Sequence, residues 1–177
     1  SKMSGKIVVE GILSPWRIAT RKTFNRPYFT KVLRRAFLAF IIICTLLFSL
    51  FRLTESPPVW YDEGIYIQNA TNLVQNGMTG VRISPDTIYH VSKFSVGFPV
   101  IYPLAGVIGI FGADILPERL LMVLFIMGLV ISAYILMKKL SGSGLASISL
   151  ALLATFPPLY GNGKSVLGET PGLLFVL

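Results

Sequence analysis

Two acids stand side by side after a proline pair and two aromatic residues in Pro57-Pro58-Val59-Trp60-Tyr61-Asp62-Glu63, and Tyr66 and Asn69 follow within two helical turns. On a helix Asp62, Tyr66 and Asn69 share one face. Adjacent carboxylates flanked by aromatics at headgroup depth can serve as a general base or bind a divalent cation such as Mg or Mn. A plainer account also fits, because an aspartate after prolines is a good helix N-cap and acids suit a first helical turn. Further on, Tyr89-His90-Val91-Ser92-Lys93 brings the only histidine and a lysine to the edge of an apolar run. Lys93 can meet a lipid phosphate or simply snorkel to an interface, and His90 reads as an ordinary loop residue. Glu169, in Gly168-Glu169-Thr170-Pro171, lies beside an apolar segment, where ionisable groups tend to be functional. With one histidine and one cysteine, a zinc site of conventional spacing is disfavoured, and Cys44 has no partner for an intrachain disulfide. Asn69-Ala70-Thr71 is formally a glycosylation sequon, but its place inside a helix argues against modification.

The elements that must carry these residues belong in lipid. Of 177 residues 53% are hydrophobic and 14% charged, and the mean hydropathy is +0.69, well off the soluble average. Four uncharged runs, Ala36 to Phe51, Val96 to Ala113, Leu120 to Met137 and Leu145 to Tyr160, each approach the ~17–25 residues that cross a bilayer as helix. The formal charge of +8 is no argument for nucleic acid, since nine of the sixteen Lys and Arg residues fall in the first 35 positions beside the first run. That is the juxtamembrane pattern that keeps a tail cytoplasmic and meets anionic lipid heads. No signal-peptide cleavage site follows the first run, so it is expected to stay as an anchor.

Residues 1–35 therefore read as a basic cytoplasmic or interfacial tail and 36–177 as an all-α transmembrane module. The first span covers 36–53 and delivers an acid-rich loop, 54–117, to the outer side. Within it the run 96–113 is long enough to cross but is broken by Pro99, Pro103 and four glycines. If it crosses, Lys138 and Lys139 fall outside; if it lies in the interface or re-enters, they fall inside, which the positive-inside bias favours. Spans at 118–138 and 145–161 then return the chain to the outer side, a loop at 162–170 carries Glu169, and 171–177 reads as the start of a further span. Pro157-Pro158 ends a helix and Pro171 suits the first turn of another.

This order of features resembles the GT-C glycosyltransferases, which include protein O-mannosyltransferases and aminoarabinose transferases. The resemblance covers about residues 36–177. It rests on the basic tail and first helix, Trp60-Tyr61-Asp62-Glu63 with Tyr66 and Ala70, Lys93 ahead of Gly97-Phe98-Pro99 and Tyr102, Phe111-Gly112, Arg119 opening a helix, and an acid in the second outer loop. It implies interfacial helices in the first outer loop and transfer of a sugar from a polyprenyl-phosphate donor to an acceptor on the extracytoplasmic side. Asp62 is the position carried over first, as base for an acceptor hydroxyl or as a metal ligand, and Glu63 second. Tyr66, Lys93, Arg119 and Glu169 become substrate-binding candidates, and Asp62 and Glu169 candidate ligands of a divalent cation. Cationic side chains would steady the departing lipid phosphate. Some members have Asp where Glu169 stands. Complete enzymes of the type have more helices, so this stretch alone is expected to be inactive. The membrane would be a prokaryotic plasma membrane or the endoplasmic reticulum.

Two other classes fit the composition. A non-catalytic membrane subunit would pack its apolar surface on a larger partner. A small transporter would use Asp62 and Glu169 as cation or proton sites and the Gly/Pro-rich run as a broken helix, but both acids lie outside the apolar runs.

Overall fold

The computed structural model describes residues 27–84, 87–90 and 97–177. The chain divides into two units, Ser1–Phe40 and Ile41–Leu177. In the first, the described residues are all helical, the beginning of α1 (Pro27–Leu50). The second holds the end of α1, then α2 (Tyr61–Asn76), β1 (Gly80–Ser84), β2 (Thr87–His90), α3 (Phe98–Phe111), α4 (Ile115–Ala154), α5 (Pro157–Tyr160), a 3-10 turn at Asn162–Lys164 and α6 (Glu169–Val176). The described residues are thus mostly helical, with one departure from the all-α expectation: β1 and β2 pair antiparallel. The β-branched and aromatic residues of Val81, Ile83, Thr87, Ile88 and Tyr89 explain it, since these favour extended backbone.

Among the described residues two helices, α1 and α4, are long and apolar enough to cross a membrane by length and composition. In α1 burial runs inside out. From Ile41 onward α1 exposes Ile43, Leu46, Leu47 and Phe48 while burying Ile41, Thr45 and Ser49, a stripe at spacing four whose members are mostly small and polar. Tyr160 stacks obliquely on Phe48, with 5.7 Å between ring centroids, and its hydroxyl donates to the Ala154 carbonyl at 2.6 Å.

α4 is two limbs joined at Gly142, whose φ of 79° and ψ of 170° are non-helical. Packing shows that the second limb folds back. Gly163 sits against the Ile126 side chain, and Gly128 against Leu174. A straight rod would carry Ala154 about 42 Å beyond Ile126, whereas nine residues reach at most about 32 Å. Gly142 therefore makes the turn of a helical hairpin, with Lys138 and Lys139 exposed beside it. A Cβ at Gly142 would meet nothing within 4 Å, so only backbone strain opposes a side chain there. Gly142→Ala is expected to lower stability by about 1–3 kcal/mol, read as a fall in the melting midpoint in detergent, with α4 otherwise intact.

The core lies between α2, α3 and the first limb of α4: Ala70 meets Val100, Ile101, Leu104, Ala105 and Ile108, with Met122, Phe125 and Val166 closing it. α3 spans 14 residues, about 21 Å, which is short of the ~30 Å hydrocarbon core. α2 ends at Gly77, whose φ of 67° is the left-handed cap that glycine supplies most cheaply. The hairpin is tied to α2 where Asn72 Nδ2 donates to the Gly80 carbonyl at 2.7 Å.

Candidate functional site

The neighbouring acids Asp62 and Glu63 have opposite environments. One residue along a helix turns a side chain by about 100°, and α2 buries the face holding Glu63 and Ala70, so Asp62 is left exposed. Glu63 accepts from Arg119 twice, Nε to Oε1 at 2.9 Å and Nη2 to Oε2 at 2.7 Å. Its Oε1 also accepts from the Val166 amide at 2.9 Å. The third arm of Arg119 donates from Nη1 to the Leu53 carbonyl at 2.8 Å. Both side chains of the pair are wholly inaccessible. Four segments, the exit of α1, the first turn of α2, the start of α4 and the loop before α6, are thereby pinned at one point.

Two of the candidate residues are thereby engaged within the chain. Glu63 accepts from a bidentate guanidinium and an amide, which ties the carboxylate to structure and leaves it poorly placed as a general base. Arg119 is enclosed, and each of its three nitrogens donates within the chain, an arrangement of a structural cation and not of one facing substrate. Beside them Glu118 is buried with Oε1 lacking a hydrogen-bond partner. Lys164, also buried, donates from Nζ to the Phe51 carbonyl at 2.9 Å. Burial and then the nearby Arg119 push the Lys164 ammonium below its ordinary range.

A second arrangement opens to solvent. Tyr66 and Glu169, 103 positions apart, line one cleft of about 300 Å³ together with Gly97, Pro99, Val100, Gly168 and Gly172. Asp62 stands one turn before Tyr66 on the same face. Helix α2 starts at Tyr61 with Trp60 as its cap residue and no side-chain cap bond, so Asp62 is not the N-cap that the proline pair suggested. The first turn of α6 holds Glu169. The tyrosine hydroxyl lies against Gly168: a Cβ there would sit 3.1 Å from that oxygen, so glycine lets the loop approach.

Electrostatics bind the three groups together. Burial raises the Tyr66 pKa above its ordinary 10.0, the charges of Glu169 and Asp62 raise it further, and the Gly168 amide opposes them. A difference titration of wild type against Tyr66→Phe is expected to show a phenolate forming above pH 10.0. In Glu169→Gln that transition moves back toward lower pH, because one repelling charge is gone. An unmoved transition would separate Glu169 from Tyr66.

Lys93 lies outside the described residues. Asn69 is fully buried within α2 and its side chain finds no hydrogen-bond partner, which leaves the sequon out of reach of a modifying enzyme. Among the described residues, no group of three or more His, Cys, Asp or Glu side chains is placed to hold a metal. Asp62 and Glu169 would offer two carboxylates, the number with which Mg often makes do when water and phosphate complete its shell.

The roles of Glu118 and Lys164 were not read from the sequence. A signal existed for the first, an acid one place before Arg119 at the head of a long apolar run; Lys164 had none, since a lysine in a polar loop is ordinarily solvated. Comparison with protein-family models, curated proteins and solved structures returned no match.

Proposed function

We propose that this chain serves in a membrane glycosyltransferase of GT-C type, moving a sugar from a polyprenyl-phosphate donor to an acceptor at the extracytoplasmic surface. The observation that carries the reading is the open cleft where Tyr66 and Glu169 meet, with Asp62 one turn away on the same helix face. In this reading Asp62 takes the proton of the acceptor hydroxyl, Tyr66 and Glu169 orient the reacting groups, and Lys93 is the candidate cation for the departing lipid phosphate. A divalent cation, Mg or Mn, held by Asp62 and Glu169 would supply further charge for that phosphate.

Lipid embedding is supported by the outward apolar and inward polar faces of α1, a pattern suited to a solvent as apolar as leucine. Topology follows from charge. The basic tail is cytoplasmic, α1 crosses outward, α2 and α3 lie at the outer surface, and the α4 hairpin dips inward so that Lys138 and Lys139 reach the cytoplasmic side. A second reading, a non-catalytic subunit, is favoured by one feature: α6 exposes Leu173, Phe175 and Val176, a surface suited to a partner helix.

The test is sugar transfer from labelled polyprenyl-phosphate donors in membranes expressing the full-length protein. Loss in Asp62→Asn and in Glu169→Gln at equal protein level supports the enzyme. Transfer unchanged by both variants, or absent in wild type with every donor, moves the assignment to the subunit.

A further inference from the structure

A second cleft, of about 520 Å³, opens on a different side of α2 from the one holding Tyr66. Trp60, Tyr61, Gly64 and Gln68 form its helix wall, and Arg82 and Ile83 its strand wall. At about 100° per residue, Tyr61, Gly64, Ile65 and Gln68 share a helix face roughly a third of a turn from that of Asp62 and Tyr66. The volume falls within the roughly 300–1,000 Å³ of small-ligand sites.

The lining has a specific chemistry. Trp60 and Tyr61 are largely exposed, 65% and 79%, so their rings are not used for internal packing. No hydrogen bond or ion pair engages the side chains of Arg82 or Gln68 among the described residues. Val81, Arg82 and Ile83 all line the cleft, beside an irregularity of the ladder between Arg82 and Ser84.

Two aromatic faces beside a planar amide and a guanidinium are what a sugar ring needs. Its apolar C–H face stacks on the rings and its hydroxyl rim meets the amide. A free guanidinium fork adds complementarity to a carboxylate or phosphate. An uncharged bilayer-facing patch would not require the amide or the concavity.

We propose that this cleft binds the acceptor, a saccharide bearing a carboxylate or phosphate group. The inference rests on the transferase reading. Because Tyr61 directly precedes Asp62, a unit stacked in the cleft leaves the next one over the first turn of α2, with its hydroxyl toward Asp62.

Trp16 is the other tryptophan in this stretch; in a background where every tryptophan of the full-length protein except Trp60 is replaced by Phe, Trp60 reports alone. The full-length protein in nanodiscs would be titrated with a panel of uronate- and phosphate-bearing oligosaccharides, with uncharged oligosaccharides and inorganic phosphate as comparisons. The expected result is a saturable change in Trp60 fluorescence with acidic members of the panel, weakened about tenfold by Arg82→Gln, the loss of one charged hydrogen-bonding partner. In the transfer assay Trp60→Ala and Arg82→Gln raise the acceptor KM and spare kcat. No response across the panel overturns the proposal, and quenching of Trp60 by headgroup-brominated lipid without a saccharide response assigns the face to the bilayer. Should Asp62→Asn abolish transfer while both cleft variants keep the wild-type KM, the acceptor cleft fails and the transferase stands. With no transfer from any donor, the transferase fails and the fluorescence titration still decides whether the cleft takes a saccharide.

Discussion

Arg119→Met is expected to cost the fold about 3–5 kcal/mol, the usual penalty for breaking one side of a buried ion pair. The pair is 0% exposed on both sides, so Glu63 would be left as a buried carboxylate with the Val166 amide as its one remaining donor. The Leu53 carbonyl would lose its partner as well. Unfolding followed in detergent micelles should show the loss as a lower midpoint or as the disappearance of a cooperative transition. The pair is a position device more than a source of net stability, because desolvating two charges offsets most of their attraction. The double variant Glu63→Met with Arg119→Met should therefore be more stable than either single variant. If each single change is nearly silent, the four-segment junction is not what holds α1, α2, α4 and the 165–168 loop in register.

How much of this was legible beforehand depends on which interaction decided each element. The apolar runs around α1 and α4 show through composition, and the glycine after Asn76 marks the end of α2. The pairing of β1 with β2 was readable as well, since Gly80-Val81-Arg82-Ile83 and Thr87-Ile88-Tyr89 alternate around Ser84-Pro85-Asp86; the all-α expectation left this stretch as loop. Within the run at 96–113, Phe98–Phe111 forms a 14-residue helix although Pro103 lies inside it and removes the backbone hydrogen bond to the Pro99 carbonyl.

Choosing between the two acids is a matter of helical phase. Glu63, Ile67, Ala70 and Val74 recur at spacings of four, three and four, an apolar face with one charge at its head. Such a charge must be buried, and a buried carboxylate needs a partner. Arg119 heads its own buried stripe through Met122, Val123, Ile126 and Val130. Each signal is visible alone, but their pairing spans 56 positions and depends on how α2 meets α4, which no local pattern encodes. The approach of Gly168 to Tyr66 is of the same kind, set by tertiary packing of a helix against a distant loop.

Two isosteric changes one residue apart should then separate chemistry from architecture. Asp62→Asn removes an exposed carboxylate that takes part in no hydrogen bond or ion pair among the described residues, so the melting midpoint should stay within error of wild type. Its effect should fall on transfer, where losing a positioned general base is worth about 10²–10⁴-fold in rate. Glu63→Gln keeps the shape but loses the charge that Arg119 faces, and a neutral amide cannot accept at both positions from the guanidinium. Its deficit should appear as lost fold and reduced protein in the membrane, with the activity of whatever remains folded close to normal per molecule. The pair is decided by measuring transfer and melting on the same preparations. Should Glu63→Gln stay folded and lose transfer while Asp62→Asn keeps it, the burial of Glu63 would be wrong, and the catalytic assignment would pass from Asp62 to its neighbour.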